Sequence, residues 1–151
     1  MSTPAASGAD AQRGPAAKLG LHAGQLVQSL DADGLADAGL LGDVTALTGE
    51  ELVPAGSDDV VDVVLLWFRD LEGGDVDGLV DVLVDARRNL ADAGVVWLMT
   101  PKSGREGHVE PSDIQEAVPT AGLAVTSTLS AAPAWTGSRL VAPKTARSAR
   151  R

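Results

Sequence analysis

The residues best equipped for chemistry lie in one short segment, Lys102-Ser103-Gly104-Arg105-Glu106-Gly107-His108, with Ser112 just beyond it. Two cations, a hydroxyl and an imidazole so close together can hold a phosphate, a carboxylate or a partner's acidic side chain. The case strengthens where a helix begins, because its first N–H groups point at an anion. Ser112-Asp113-Ile114-Gln115 has the form of a capping box and predicts a helix from Ser112 as N-cap to about Ala121. In a chain of net charge −9 at pH 7 such a basic loop stands out. Lys102, Ser103, Arg105, His108 and Ser112 are therefore the expected anion- or partner-binding residues. Trp135, set by Pro133 and Gly137 in an expected loop, joins them as a recognition side chain.

Other reactive arrangements are missing or incomplete. Cysteine and tyrosine are absent, which removes disulfides, thiolate nucleophiles, zinc ribbons, iron–sulfur clusters and phenolic acids or bases. His22 and His108 have no motif partner, neither Gly-x-Ser-x-Gly nor His-Glu-x-x-His, so no catalytic residue is assigned. Asp31-Ala32-Asp33-Gly34-Leu35-Ala36-Asp37 is echoed by Asp75-Val76-Asp77-Gly78-Leu79-Val80-Asp81. As calcium loops both fail, since Leu40 or Val84 stands where a bidentate Glu is needed and Ser29 or Gly73 opens the loop. No metal site is expected, and these aspartates read as helix caps and first-turn residues.

Charge separates the chain into unlike parts. Residues 31–92 carry sixteen Asp/Glu against three Arg, a local −13, whereas residues 93–151 carry seven Lys/Arg against four Asp/Glu, a local +3. An acidic body repels nucleic acid and anionic lipid, so neither is an expected partner. No apolar run is long enough to span a bilayer, and Met1–Lys18 has no hydrophobic signal core. A cytoplasmic location is the default expectation.

The elements that must position the loop follow from hydrophobic spacing. Residues 1–16, rich in Ala, Gly, Ser and Pro, read as a disordered leader, 17–144 as one folded domain, and 145–151 as a disordered basic tail. Gln25–Leu30 alternates as a first strand, Leu35–Leu47 has helical spacing, and Glu51–Ala55 is a short strand candidate. Val60–Phe68 is nearly continuous and β-branched, as in a central strand buried on both faces. Leu79, Val80, Leu83, Val84, Ala86 and Leu90 then recur at helical spacing until Gly94, and Val95–Met99 follows as a second buried strand. Strand, helix, strand implies a right-handed parallel crossover. Ala124–Ser130 and Ser138–Ala142 form an expected antiparallel pair. The fold class is α/β, a small Rossmann-like three-layer sandwich whose mostly parallel sheet is closed by an antiparallel strand pair.

Leu65-Leu66-Trp67-Phe68, Val95-Val96-Trp97-Leu98-Met99-Thr100-Pro101-Lys102-Ser103-Gly104 and Trp135-Thr136-Gly137-Ser138-Arg139-Leu140-Val141, with the opening Leu19-Gly20-Leu21-His22-Ala23-Gly24, resemble the actinobacterial domain-of-unknown-function family 3052. The resemblance spans roughly residues 17–144 and implies a Rossmann-like domain of unestablished role. The order of elements is also similar to the C-terminal half of class I methyltransferases, an analogy of fold that carries no function. Such an enzyme needs closely spaced glycines after the first strand so that backbone can approach its ligand. Here only Gly34 and Gly39 stand there, and Asp31, Asp33 and Asp37 would repel a pyrophosphate. Lys102-Ser103 likewise lacks the glycines of a Walker motif.

The expected function is a non-enzymatic binding or regulatory domain without a cofactor. It acts through a protein partner on the acidic face or through a small anionic ligand at Lys102 and Arg105. The alternative is an atypical methyltransferase-like enzyme lacking the glycine-rich loop.

Overall fold

The computed structural model describes residues 14–31 and 34–143. Its centre is a five-stranded mixed sheet of β1 (Val27–Leu30), β2 (Val61–Trp67), β3 (Leu90–Pro101), β4 (Ala124–Ala132) and β5 (Trp135–Val141), in the order β1-β2-β3-β5-β4. The pairs β1–β2 and β2–β3 are parallel, while β5 runs antiparallel to both β3 and β4. Among the described residues four helices cover it: α1 (Pro15–Lys18), α2 (Ala38–Thr48), α3 (Val76–Arg87) and α4 (Pro111–Thr120).

Alternation along the strands divides the core into two layers. Val27, Val63, Leu65, Trp67, Trp97, Met99 and Trp135 face α1 and α2, together with Ala16, Leu19, Leu40 and Val44. Val64, Leu66, Val96, Leu98 and Leu140 face α3 and α4, against Leu79, Leu83, Ala117 and Val118. β2 is buried along almost its whole length, as its β-branched run requires, and β3 rather than β2 is the middle strand. The three layers and the Rossmann-like parallel core are as the sequence implies.

Several boundaries differ for identifiable reasons. The helix expected to reach Gly94 stops at Arg87, because Asn89 is drawn into the sheet: its Nδ2 donates to the Ser57 carbonyl at 2.6 Å and its own carbonyl accepts the Val61 N–H at 2.9 Å. Gly94 therefore lies inside β3, where an added Cβ would meet the Leu90 side chain at 2.7 Å and the Asp62 carbonyl at 2.9 Å. The expected strand Glu51–Ala55 shrinks to a single parallel bridge of Val53 to Gln28. Helix α4 starts at Pro111 with Glu110 as N-cap, so Ser112 lies inside the helix and no capping box forms. Proline suits that first turn because its missing N–H would have had no helical partner.

The two aspartate repeats are not structural equivalents. Asp37, at the end of the first, caps α2 by accepting the Leu40 N–H at 2.8 Å, whereas Asp75, at the start of the second, caps α3 by accepting the Gly78 N–H at 3.0 Å. Asp33 lies outside the described residues. At the ends of the chain, Pro15 and Ala16, expected in the leader, belong to α1, and Ala16 is fully buried. The remainder of the expected leader through residue 13, and the tail 145–151, lie outside the described residues.

Candidate functional site

Three loops meet at the carboxyl ends of β1, β2 and β3, where open α/β sheets hold their ligands. After β1, the Asp31 carboxylate turns back and accepts the N–H groups of Leu35 at 2.9 Å and Ala36 at 2.6 Å. After β2, the buried Asp70 carboxylate accepts those of Gly73 at 2.8 Å, Gly74 at 2.6 Å and Asp75 at 3.3 Å. Gly73 and Gly74 have φ of +80° and +84°, a conformation only glycine adopts cheaply, and it turns successive N–H groups toward one point. Such a nest is a ready anion site, and here the anion is the protein's own carboxylate. Burial works to raise the Asp70 pKa, but the N–H groups of Gly74, Gly73, Asp75 and Glu72 outweigh it and hold the carboxyl below its ordinary value.

The third loop is the basic one. The Asp70 N–H donates to the Gly107 carbonyl at 2.9 Å and ties it to the second. The Arg69 stem lies over Gly107, where a Cβ would meet it at 2.7 Å, and Arg69 Nε is sealed without a hydrogen-bond partner among the described residues. Lys102 is half-buried and its N–H donates to the Ala134 carbonyl at 3.0 Å. The Arg105 N–H closes a turn onto the Lys102 carbonyl at 3.0 Å, leaving Ser103 and Arg105 exposed. His108 Nδ1 lies 2.9 Å from the Pro101 carbonyl, which can only accept, so Nδ1 carries a proton and donates it there.

The structure thus brings Lys102, Ser103, Arg105 and His108 into one loop, with Ser112 exposed on the helix it leads into. Trp135 does not join them. It is 8% exposed, lies in β5 on the opposite face of the sheet, and packs edge-on against Trp67 with ring centroids 5.0 Å apart. The reason is the tight Pro133-Ala134 turn, which starts β5 at Trp135 and turns its ring inward, so the side chain is buried rather than presented in a loop.

Sequence reading missed two hollows on the α3/α4 face. The larger, about 440 Å³, runs over β1 and β2 beside α3, with Leu30, Leu66 and Val82 as apolar lining and Asp31, Asp58 and Asp85 as acidic lining. Asp85 is paired with Arg88 at 3.0 Å, both largely exposed. The smaller, about 160 Å³, lies between α4 and strands β3, β5 and β4 and includes His108. Their walls come from segments far apart in sequence, which local spacing does not bring together. Among the described residues no group of three or more His, Asp or Glu comes close enough to hold a metal ion, and no helix is long and apolar enough to cross a membrane.

Comparison with solved structures gives a fold likeness. An O-methyltransferase from neocarzinostatin biosynthesis, in complex with S-adenosylmethionine and 2-hydroxy-5-methyl naphthoic acid, is 15% identical with a TM-score of 0.59, over 80% of this chain and 49% of that one. The chain thus spans about half the length of that enzyme. A TehB-like S-adenosylmethionine-dependent methyltransferase from Corynebacterium glutamicum is 15% identical with a TM-score of 0.51, over 93% of this chain and 100% of that one. These neighbours show a Rossmann-like α/β fold, which those methyltransferases share, and nothing of activity.

Closer in sequence are uncharacterized proteins of mycobacteria. Mb2263c of Mycobacterium bovis and Rv2239c of Mycobacterium tuberculosis are each 46% identical over 129 residues, covering 85% of this chain and 78% of theirs. The family described as "Protein of unknown function (DUF3052)" matches residues 16–144. The chain therefore belongs to the DUF3052 family.

Proposed function

We propose that this protein is a non-enzymatic binding domain that keeps the methyltransferase-like sheet without its cosubstrate site, and engages a protein partner through its acidic face. The observation that carries the reading is Asp31. A dinucleotide or adenosyl ligand needs free backbone N–H groups after the first strand, whereas those of Leu35 and Ala36 are taken by a carboxylate of the same loop. The residues present do not fit S-adenosylmethionine. The larger cleft supports the choice of partner: an apolar lining of Leu30, Leu66 and Val82 bordered by Asp31 and Asp58 suits a segment that is apolar on one side and basic on the other. The setting is the cytoplasm.

A peptide-display selection against the full chain tests the reading, with the winners mapped by NMR. Enriched peptides should pair basic with apolar residues, perturb the cleft, and weaken when Asp58 is changed to Lys. Acidic winners that perturb Lys102–Arg105 would replace the acidic face by the basic loop. The second reading, a methyltransferase-like enzyme, is favoured by fold likeness. Saturable heat on titrating S-adenosylmethionine into the full chain would establish it in place of the first.

A further inference from the structure

The smaller cavity is built differently from the rest of the face it occupies. Along β2, β3 and β5 the positions facing α3 and α4 are apolar, Val64, Leu66, Val96, Leu98 and Leu140. Toward the ends nearest the basic loop the same face changes to Thr100 on β3, Thr136 and Ser138 on β5, and Thr128 on β4. Thr100 lies directly opposite Thr136, and Ser138 opposite Thr128. Side chains at such paired positions point the same way about 5 Å apart, so four hydroxyls gather on one small area.

Two of the four are deep. Thr100 is 2% exposed and Ser138 3%, yet neither hydroxyl makes a hydrogen bond among the described residues. The only fully sealed side-chain polar atom without a partner among those residues is Arg69 Nε. The Thr100 and Ser138 hydroxyls are therefore not sealed in, and the space they reach is the cavity they line. Hydroxyls that open onto this cavity have no protein partner to compete for them, so both are available to whatever occupies it, water or a ligand.

The remaining wall defines what that is. Val109, Pro111 and Ile114 supply an apolar roof, while His108 and Gln115 add an imidazole and a carboxamide. Among the described residues no Asp, Glu, Lys or Arg lines the cavity. The start of α4 offers little to an anion: Pro111 has no N–H, those of Asp113 and Ile114 both donate to the Glu110 carbonyl, and only that of Ser112 is left over. Hydroxyl and carboxamide groups both donate and accept, which matches a ligand whose own groups do the same. A volume of about 160 Å³ holds roughly five waters at their liquid volume, enough for one edge of a monosaccharide, and exposed Gln115, Val125 and Thr128 mark the mouth through which the rest would project.

We propose that this cavity binds a neutral polyhydroxylated molecule of about monosaccharide size, held by Thr100, Ser138, Thr136 and Gln115 with its C–H face against Ile114 and Val109. The site is separate from the acidic cleft and stands whether or not that cleft binds a partner.

The test titrates D-glucose, D-ribose, myo-inositol and glycerol into the isotopically labelled full chain, with inorganic phosphate and acetate as charged controls. At least one polyol should give saturable shifts at Thr100, Gln115 and Ser138, and the anions none. The Thr100→Val and Ser138→Ala variants should each lose roughly tenfold in affinity, the loss of one ordinary hydrogen bond, while keeping wild-type circular dichroism. No saturable polyol shift at these residues, binding by the anions instead, or unchanged affinity in folded Thr100→Val/Ser138→Ala protein would overturn the proposal. Should the double variant fail to fold, Gln115→Ala at the exposed mouth serves in its place, and unchanged polyol affinity there overturns the assignment equally.

Discussion

Replacing Asp70 tests whether its carboxylate is the internal anion of the second loop. Three N–H groups converge on it, two at 2.6 and 2.8 Å, the range of charge-assisted bonds, and the third at 3.3 Å. Asp70→Ala leaves all three without that partner. Gly73 and Gly74 are exposed and regain water, so the loss is well below three full charged hydrogen bonds, about 2–3 kcal/mol. In a domain of this size the melting midpoint should fall by roughly 6–12 °C. Asp70→Asn keeps the shape and one carbonyl acceptor but turns an NH2 toward an N–H, and should lose about half as much.

The pH dependence is sharper. The folded pKa of Asp70 is depressed, so its contribution is present above the unfolded value, near 3.8, and is lost as pH falls through the folded one. Urea unfolding of wild type and Asp70→Asn should show a gap that is full at neutral pH, narrows below about pH 4 and closes in stronger acid. A gap that is constant with pH, or an Asp70→Ala variant within about 0.5 kcal/mol of wild type, would refute the reasoning.

Trp135→Ala should destabilise by about 3–5 kcal/mol in the same assay, because the ring is buried against Trp67; a loss under about 1 kcal/mol would return it to the surface. Gly107→Ala should cost about 1–3 kcal/mol, since φ is +85° and the new Cβ meets Arg69, and calorimetry showing an unchanged midpoint counts against that packing. Lys102→Ala/Arg105→Ala should leave the midpoint within a few degrees while abolishing any phosphate-induced shift in a thermal melt, as befits one half-buried and one exposed side chain with no ion pair among the described residues.

What could be read from the sequence was set by local periodicity. Val61–Trp67 is a strand because nearly every residue is apolar and four of its seven are branched at Cβ or aromatic, and Leu79, Leu83 and Ala86 mark the buried stripe of α3 wherever that helix ends. The basic loop was visible because it follows a strand and precedes a helix. Trp135 was misplaced because Pro133 and Gly137 look like one loop, whereas Gly137 is a strand residue whose added Cβ would meet the Trp97 ring at 3.1 Å. The capping box at Ser112 lost to Pro111, which suits the first turn and moved the start of the helix. The hydroxyl cavity draws on β3, α4, β4 and β5 together, and no local pattern announces a wall that four elements build. Asp70, in turn, looked like one acid among many, because its role depends on two glycines that bend back to it.

The sheet stops at β1 and β4, and both ends are finished in ways that bear on behaviour in a crowded solution. An unpaired strand edge is a template on which another chain can add a strand. Along β1 the Val27 carbonyl is taken by the Val53 N–H at 2.8 Å, and the Gln28 amide donates to the Pro54 carbonyl at 2.9 Å, pinning the segment across the edge. Pro54 has no N–H with which to extend the pairing. At the far end β4 is broken by irregularities between Val125 and Ser127 and between Ser130 and Ala132, which twist the strand away from a flat partner. A copy of the chain approaching either edge of the folded sheet meets a bridged segment at β1 and an irregular strand at β4, so neither edge offers a long regular template for an added strand.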